Sequence, residues 1–211
     1  MNYIVSGLER SGTSLVMQIL KEGGFPIAFD SSRKADRNNP KGYYELEGGK
    51  IIKAIEEGSF EFNKYTGKAI KVTAYGIKHL PRGEYTIIYI ERNINEIILS
   101  TDHMSESNLD REELRVSLQK LNDNTKTLMN NSPDMKVLYI QHRNLFINPE
   151  EEIDKISKFL GGLDVERALK VIDPKLYRNR VFKADKKFKR GELSDKESIL
   201  IRERLWELGY I

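Results

Sequence analysis

With 211 residues, 39% of them hydrophobic and 32% charged, the chain is long enough for one sizeable α/β domain and reads as a single soluble globular domain over 1–211. It has no cysteine, which excludes disulfides and thiolate chemistry, and its net charge of +3 is too mild to demand a nucleic-acid partner while suiting an anionic small molecule. No apolar run approaches the length of a membrane span and the first strand begins almost at residue 1, so a cytoplasmic protein without a leader is expected.

In chain order, residues 3–5 have strand character and 14–20 have the apolar spacing of a buried helix, which makes 7–13 a strand-to-helix turn. Gly23 and Gly24 end that helix, and 25–39 is a polar, irregular segment holding Asp30, Arg33, Lys34, Asp36 and Arg37, a plausible substrate-facing loop. A Pro/Gly turn at 39–45 leads into a predicted helix over 47–57. The β-branched runs 68–73 and 85–90 read as buried strands with a loop at 80–83 between them. Helices are expected over 95–104 and 111–129, a strand over 136–140, and a helix over 149–160, which has proline at its start, Glu150 to Glu152 in its first turn and Gly161-Gly162 at its end. Helical stretches follow around 165–172 and 196–208. Strands alternating with helices imply a three-layer sandwich with a mostly parallel central sheet, like that of P-loop NTPases, and a ligand at the carboxyl ends of the strands. The segments after Val5, Val72, Ile90 and Ile140 then share one rim.

The first of these turns is a phosphate cradle. Gly7 and Gly12 allow positive φ and close backbone approach, and the N–H groups and dipole of the first helical turn favour an anion. Arg10, Ser11, Thr13 and Ser14 add a cation and three hydroxyls. The spacing follows the P-loop pattern G-x-x-x-x-G-K-S/T at Gly7, Gly12 and Ser14, but Thr13 stands where the lysine would reach the β- and γ-phosphates of a nucleoside triphosphate. A different anionic ligand is expected. Farther on, Arg92 falls at the end of a strand and Ser100 returns from the helix after it, a guanidinium and a hydroxyl able to hold a second phosphate.

Together these segments resemble the sulfotransferase family. The 7–14 loop is similar to its 5′-phosphosulfate loop in the Arg-Ser-Gly-Thr form, and Arg92 with Ser100 is similar to its 3′-phosphate motif. Residues 137–153, followed by Phe159-Leu160-Gly161, resemble a third family segment, and 39–45 (N-P-K-G-Y-Y-E) is like a stretch common in bacterial members. The likeness spans about residues 2–162; in the tail, Lys189-Arg190-Gly191 is similar to a basic-Gly loop that closes over the nucleotide. The resemblance implies 3′-phosphoadenosine 5′-phosphosulfate as donor, no metal requirement, and transfer of a sulfuryl group to a hydroxyl or amine of a small-molecule, sugar or peptide acceptor, with no nucleic acid and no membrane as partner. It further implies that Arg10 contacts the phosphosulfate, that Gly7, Ser11, Gly12, Thr13 and Ser14 hold the 5′-phosphate, and that Arg92 and Ser100 hold the 3′-phosphate.

Three departures stand out. Glu9 occupies a position where relatives commonly carry proline, and His142-Arg143-Asn144 replaces Tyr-Glu-Asp, so a nucleotide contact passes to the His142 imidazole. The third is the general base. Lys78-His79-Leu80-Pro81 matches the histidine string of cytosolic members, but His79 lies closer to Arg92 than that histidine does; counting back places Thr73 of Lys71-Val72-Thr73 there instead. A carboxylate base is the alternative, from Asp30, Asp36, Glu45 or Glu47, and Glu45 is favoured because the Pro-Gly turn fixes its position. Two other readings stay open at this point: a non-catalytic nucleotide-binding module, and a P-loop nucleotide kinase or hydrolase.

Overall fold

A computed structural model describes residues 1–30, 32–36, 39–102 and 110–177. The chain divides into a compact unit over 1–179 and a second over 180–211, and every described residue belongs to the first. The expected helix over 196–208 lies outside the described residues.

Four strands form one parallel sheet: β1 (Asn2–Gly7), β2 (Ala69–Lys71), β3 (Tyr85–Glu91) and β4 (Met135–Gln141), in the spatial order β2-β1-β3-β4. β1 and β3 are rich in β-branched and aromatic residues, which suits central strands buried on both sides, whereas β2 is the short run A-I-K and β4 is only partly buried. Alternation then sorts the side chains. Ile4, Ile70, Ile87 and Tyr89 point to one face, where they pack with α2 (Ile51–Glu56), α3 (Ala74–Ile77), α4 (Ile94–Asp102) and α5 (Arg111–Asn130). Val5, Ala69, Ile88, Ile90 and Ile140 point to the other, against α1 (Thr13–Glu22), α6 (Asn144–Ile147), α7 (Pro149–Leu160) and α8 (Val165–Leu169). The expected three layers are present. Each such aliphatic side chain contributes about 1.5–3 kcal/mol by leaving water.

The connection from β1 runs outward to β2, then back across β1 to β3, so the strand order reverses between β1 and β3. That reversal opens a crevice beyond the carboxyl ends of the two strands. The register closes it evenly, with Gly7 opposite Ile90.

The elements differ from the sequence expectation mainly near glycine. The helix expected over 47–57 begins as a 3-10 turn, Glu47–Gly49, in which Glu47 and Gly48 take φ of +54° and +62°, and only Ile51–Glu56 is α-helical. The strand expected over 68–73 keeps three residues as the sheet's edge, after which Thr73 opens α3. Among the described residues, no helix is long and apolar enough to cross a membrane.

Candidate functional site

The loop after β1 holds its shape through two glycines. Gly7 takes φ +151°, and a Cβ there would lie 2.4 Å from the Ile90 carbonyl oxygen and 2.5 Å from Ser11 Oγ. Gly12 takes φ +111°, and its Cβ would meet the His142 ring at 2.6 Å. Only glycine fits either place. Between them Arg10 adopts φ +66°, a left-handed conformation that costs a residue with a Cβ about 1–2 kcal/mol. Two hydrogen bonds hold it there: Arg10 Nε donates to Ser100 Oγ at 3.0 Å, and Arg92 Nη1 donates to the Arg10 carbonyl at 3.0 Å. The two phosphate motifs read separately from the sequence are thus bonded to each other across the β1–β3 crevice.

A cavity of about 520 Å³ opens at this point. Arg10, Gly12, Thr13, Ser14, Glu45, Arg92, Ser100 and His142 all line it, as does Glu9, which is exposed. Gly7 and Ser11 do not; Ser11 is fully buried, and its hydroxyl has no hydrogen-bond partner among the described residues. Lys189, Arg190 and Gly191 fall outside the described residues. His142 follows β4, its N–H donating to the Glu91 carbonyl at 2.8 Å, and its ring packs on Phe146 and Tyr177. Burial, and then the Arg92 charge, hold its pKa well below the ordinary histidine value, so the imidazole is neutral at neutral pH.

The other end of the cavity is built from Arg33, the 39–49 segment and β2. Glu45 Oε1 pairs with Lys71 Nζ at 2.8 Å and Glu45 Oε2 with Arg33 Nη1 at 2.8 Å. Burial raises the Glu45 pKa, but the two cations outweigh it and hold the carboxyl below the ordinary range. Lys71 is buried at 5% exposure, and its ammonium also donates to the Tyr43 carbonyl at 2.5 Å and to Ser14 Oγ at 3.3 Å. Burial lowers its pKa, with Glu45 opposing.

Lys71 is the site residue that sequence reasoning passed over. No lysine stands in the loop at Thr13, but one from the neighbouring strand lies beside Ser14. Its signal was a lysine inside the apolar run K-A-I-K-V-T, since a buried ammonium must find an anion.

Of the four candidate carboxylates, only Glu45 lines the cavity. Asp30 instead braces its own loop, accepting from the N–H of Ser32 and of Gly48, and Asp36 accepts from the Tyr43 hydroxyl. His79 packs on Tyr75, 3.5 Å from Glu56, and is not among the lining residues. Thr73 is.

Residues 2–202 match the family model described as "Sulfotransferase domain". No curated protein matches the chain. Among solved structures, the sulfotransferase domain of the Synechococcus PCC 7002 olefin synthase superposes with a TM-score of 0.52 at 14% identity, covering 97% of this chain and 94% of that one. Mouse sulfotransferase SULT7A1, complexed with PAP, superposes with a TM-score of 0.53 at 16% identity, covering 98% of this chain and 82% of that one. At such identities the two structures speak for the fold alone, and the family match over nearly the whole chain decides membership: this chain belongs to the sulfotransferase family and is a sulfotransferase enzyme.

Proposed function

We propose that the cavity takes 3′-phosphoadenosine 5′-phosphosulfate and that the enzyme moves its sulfuryl group to a hydroxyl or amine of a polar acceptor. The observation that carries this reading is the bonded set Arg92–Arg10–Ser100: two arginines that follow adjacent strand ends and a hydroxyl from α4, lining one cavity. The site's dimensions fit the donor. A cavity of about 520 Å³ is of nucleotide-binding size.

The donor supplies an activated sulfuryl group, and the residues do the rest by placement and charge. Arg10, with the first-turn N–H groups of α1 and the Thr13 hydroxyl, holds the 5′-phosphate and meets the negative charge that grows on it as the sulfur–oxygen bond breaks. Arg92 and Ser100 hold the 3′-phosphate, and His142 packs behind the loop as a neutral ring.

Glu45, ionised by its two cations, accepts the proton of the attacking hydroxyl or amine at a carboxylate oxygen. Lys71 ties this base to Ser14 of the phosphate loop, which fixes the distance between base and donor. Arg33, Asn39, Lys41, Tyr43 and Gln18 give the acceptor end a polar lining, which supports a sugar, peptide or similarly polar acceptor.

The test is donor turnover in the presence of a chelator. Formation of 3′-phosphoadenosine 5′-phosphate when a library of saccharides, peptides and amines is supplied, lost in Arg10→Ala, is the expected result. Mg²⁺-dependent consumption of ATP, with the phosphosulfate left intact, would overturn it.

A further inference from the structure

The motif arginine is itself held from behind. Arg92 Nε donates to Glu96 Oε2 at 3.0 Å, one helical turn along α4, and both side chains are only 9% exposed. A buried carboxylate this close to a phosphate site poses an electrostatic difficulty, because it competes with the ligand for the same guanidinium. Tyr177 resolves it. Its hydroxyl donates to the same carboxylate, 2.8 Å from Glu96 Oε1 and 3.0 Å from Oε2, the oxygen that also accepts from Arg92. Burial first, and then the Glu96 hydrogen bond, push the Tyr177 pKa up to about 12, which keeps the hydroxyl a donor at every working pH.

The Tyr177 ring is fixed as well. It stacks on Phe146 with centroids 4.8 Å apart, meets His142 edge-on at 5.0 Å, and lies 5.7 Å from the Arg92 guanidinium carbon. A line of contacts therefore runs from residue 177, through Glu96 and Arg92, to the carbonyl of the catalytic-loop residue Arg10.

We infer that Glu96 and Tyr177 are positioning residues that aim Arg92 at the 3′-phosphate and so set the enzyme's selectivity for a 3′-phosphorylated nucleotide over one lacking that group. The inference rests on the donor reading above. Glu96 takes the Nε edge and thereby fixes the plane of the guanidinium. Tyr177 spreads the carboxylate's charge over a second donor, so that Glu96 orients the arginine without capturing it from the ligand. Neither residue touches the ligand in this account.

The test compares dissociation constants for adenosine 3′,5′-bisphosphate and adenosine 5′-phosphate in the wild type, Tyr177→Phe and Glu96→Asp. Tyr177→Phe keeps the ring packing and removes only the hydroxyl. Glu96→Asp keeps the charge and withdraws the carboxylate by one methylene, which separates aim from field. Each variant is expected to lower the preference for the bisphosphate about tenfold, the scale of one hydrogen bond to a charged group. Wild-type preference in both variants, or an equal weakening of both ligands such as a merely structural role gives, would overturn the inference. A wild type that binds the two ligands equally overturns the donor reading instead.

Discussion

At one end of the cavity Arg10 and Arg92 follow the ends of adjacent central strands, Ser100 comes from α4, and the three are joined by neutral-acceptor hydrogen bonds of 3.0 Å. At the other end Glu45 hangs from an irregular segment with left-handed φ at Gly42, Tyr44, Glu47, Gly48 and Gly49, and is kept in place by two cations, one of them the half-exposed Arg33. The end proposed for the donor inherits its geometry from the sheet, where parallel register leaves little freedom. The end proposed for the acceptor acquires its geometry from charge. The contrast means that the donor end should respond to substitution in rate and affinity, and the acceptor end in pH dependence.

The largest effect is expected at Arg10. On the proposed reading Arg10→Ala removes the cation that meets the developing phosphate charge and should lower kcat by about 10²–10³-fold, the scale of losing one such donor, measured in single-turnover sulfuryl transfer. Equal rates for variant and wild type would break the division between the two ends.

A smaller effect, and a sharper one for the comparison, comes from the cations around Glu45. Their influence holds its pKa below the ordinary carboxylate value of 4.5, so the acid limb of kcat/KM should lie below that value. Lys71→Met and Arg33→Ala each remove one positive neighbour and should move the limb to higher pH, the buried Lys71 more than the exposed Arg33. The same lowered pKa gives a sign for stability. The unfolded chain protonates Glu45 first on acidification, so the ion pairs stabilise fully above the ordinary carboxylate value and are lost as pH falls through the lowered one. In Lys71→Met that acid-dependent loss of Tm should flatten.

The same contrast explains what the sequence made legible. The parallel sheet, the 7–14 loop and the Arg92/Ser100 pair could be read because their residues are near neighbours along the chain, and strand ends in a parallel sheet share one rim. The helix expected over 47–57 is shorter in the structure because Gly48 and Gly49 follow Glu47 in an otherwise helical pattern, and positive φ at 47 and 48 breaks it. Lys71 could not be placed by local spacing, since its partners Glu45, Tyr43 and Ser14 are brought to it only by the pairing of β1 with β2. Tyr177 was invisible for the same reason: 81 positions separate it from Glu96, and no periodic pattern spans that distance.

The central claim is that Arg92 marks a 3′-phosphate site. It is tested most directly by thermal stabilisation with 3′-phosphoadenosine 5′-phosphate, beside ATP with and without Mg²⁺, in the wild type and Arg92→Ala. Ligand at a hundred times its dissociation constant adds about 2.7 kcal/mol to stability, which is ample for a clear rise in Tm. The account predicts a rise with the bisphosphate that needs no Mg²⁺ and disappears in Arg92→Ala. A rise retained in the variant, or one seen only with Mg²⁺ and ATP, would contradict it.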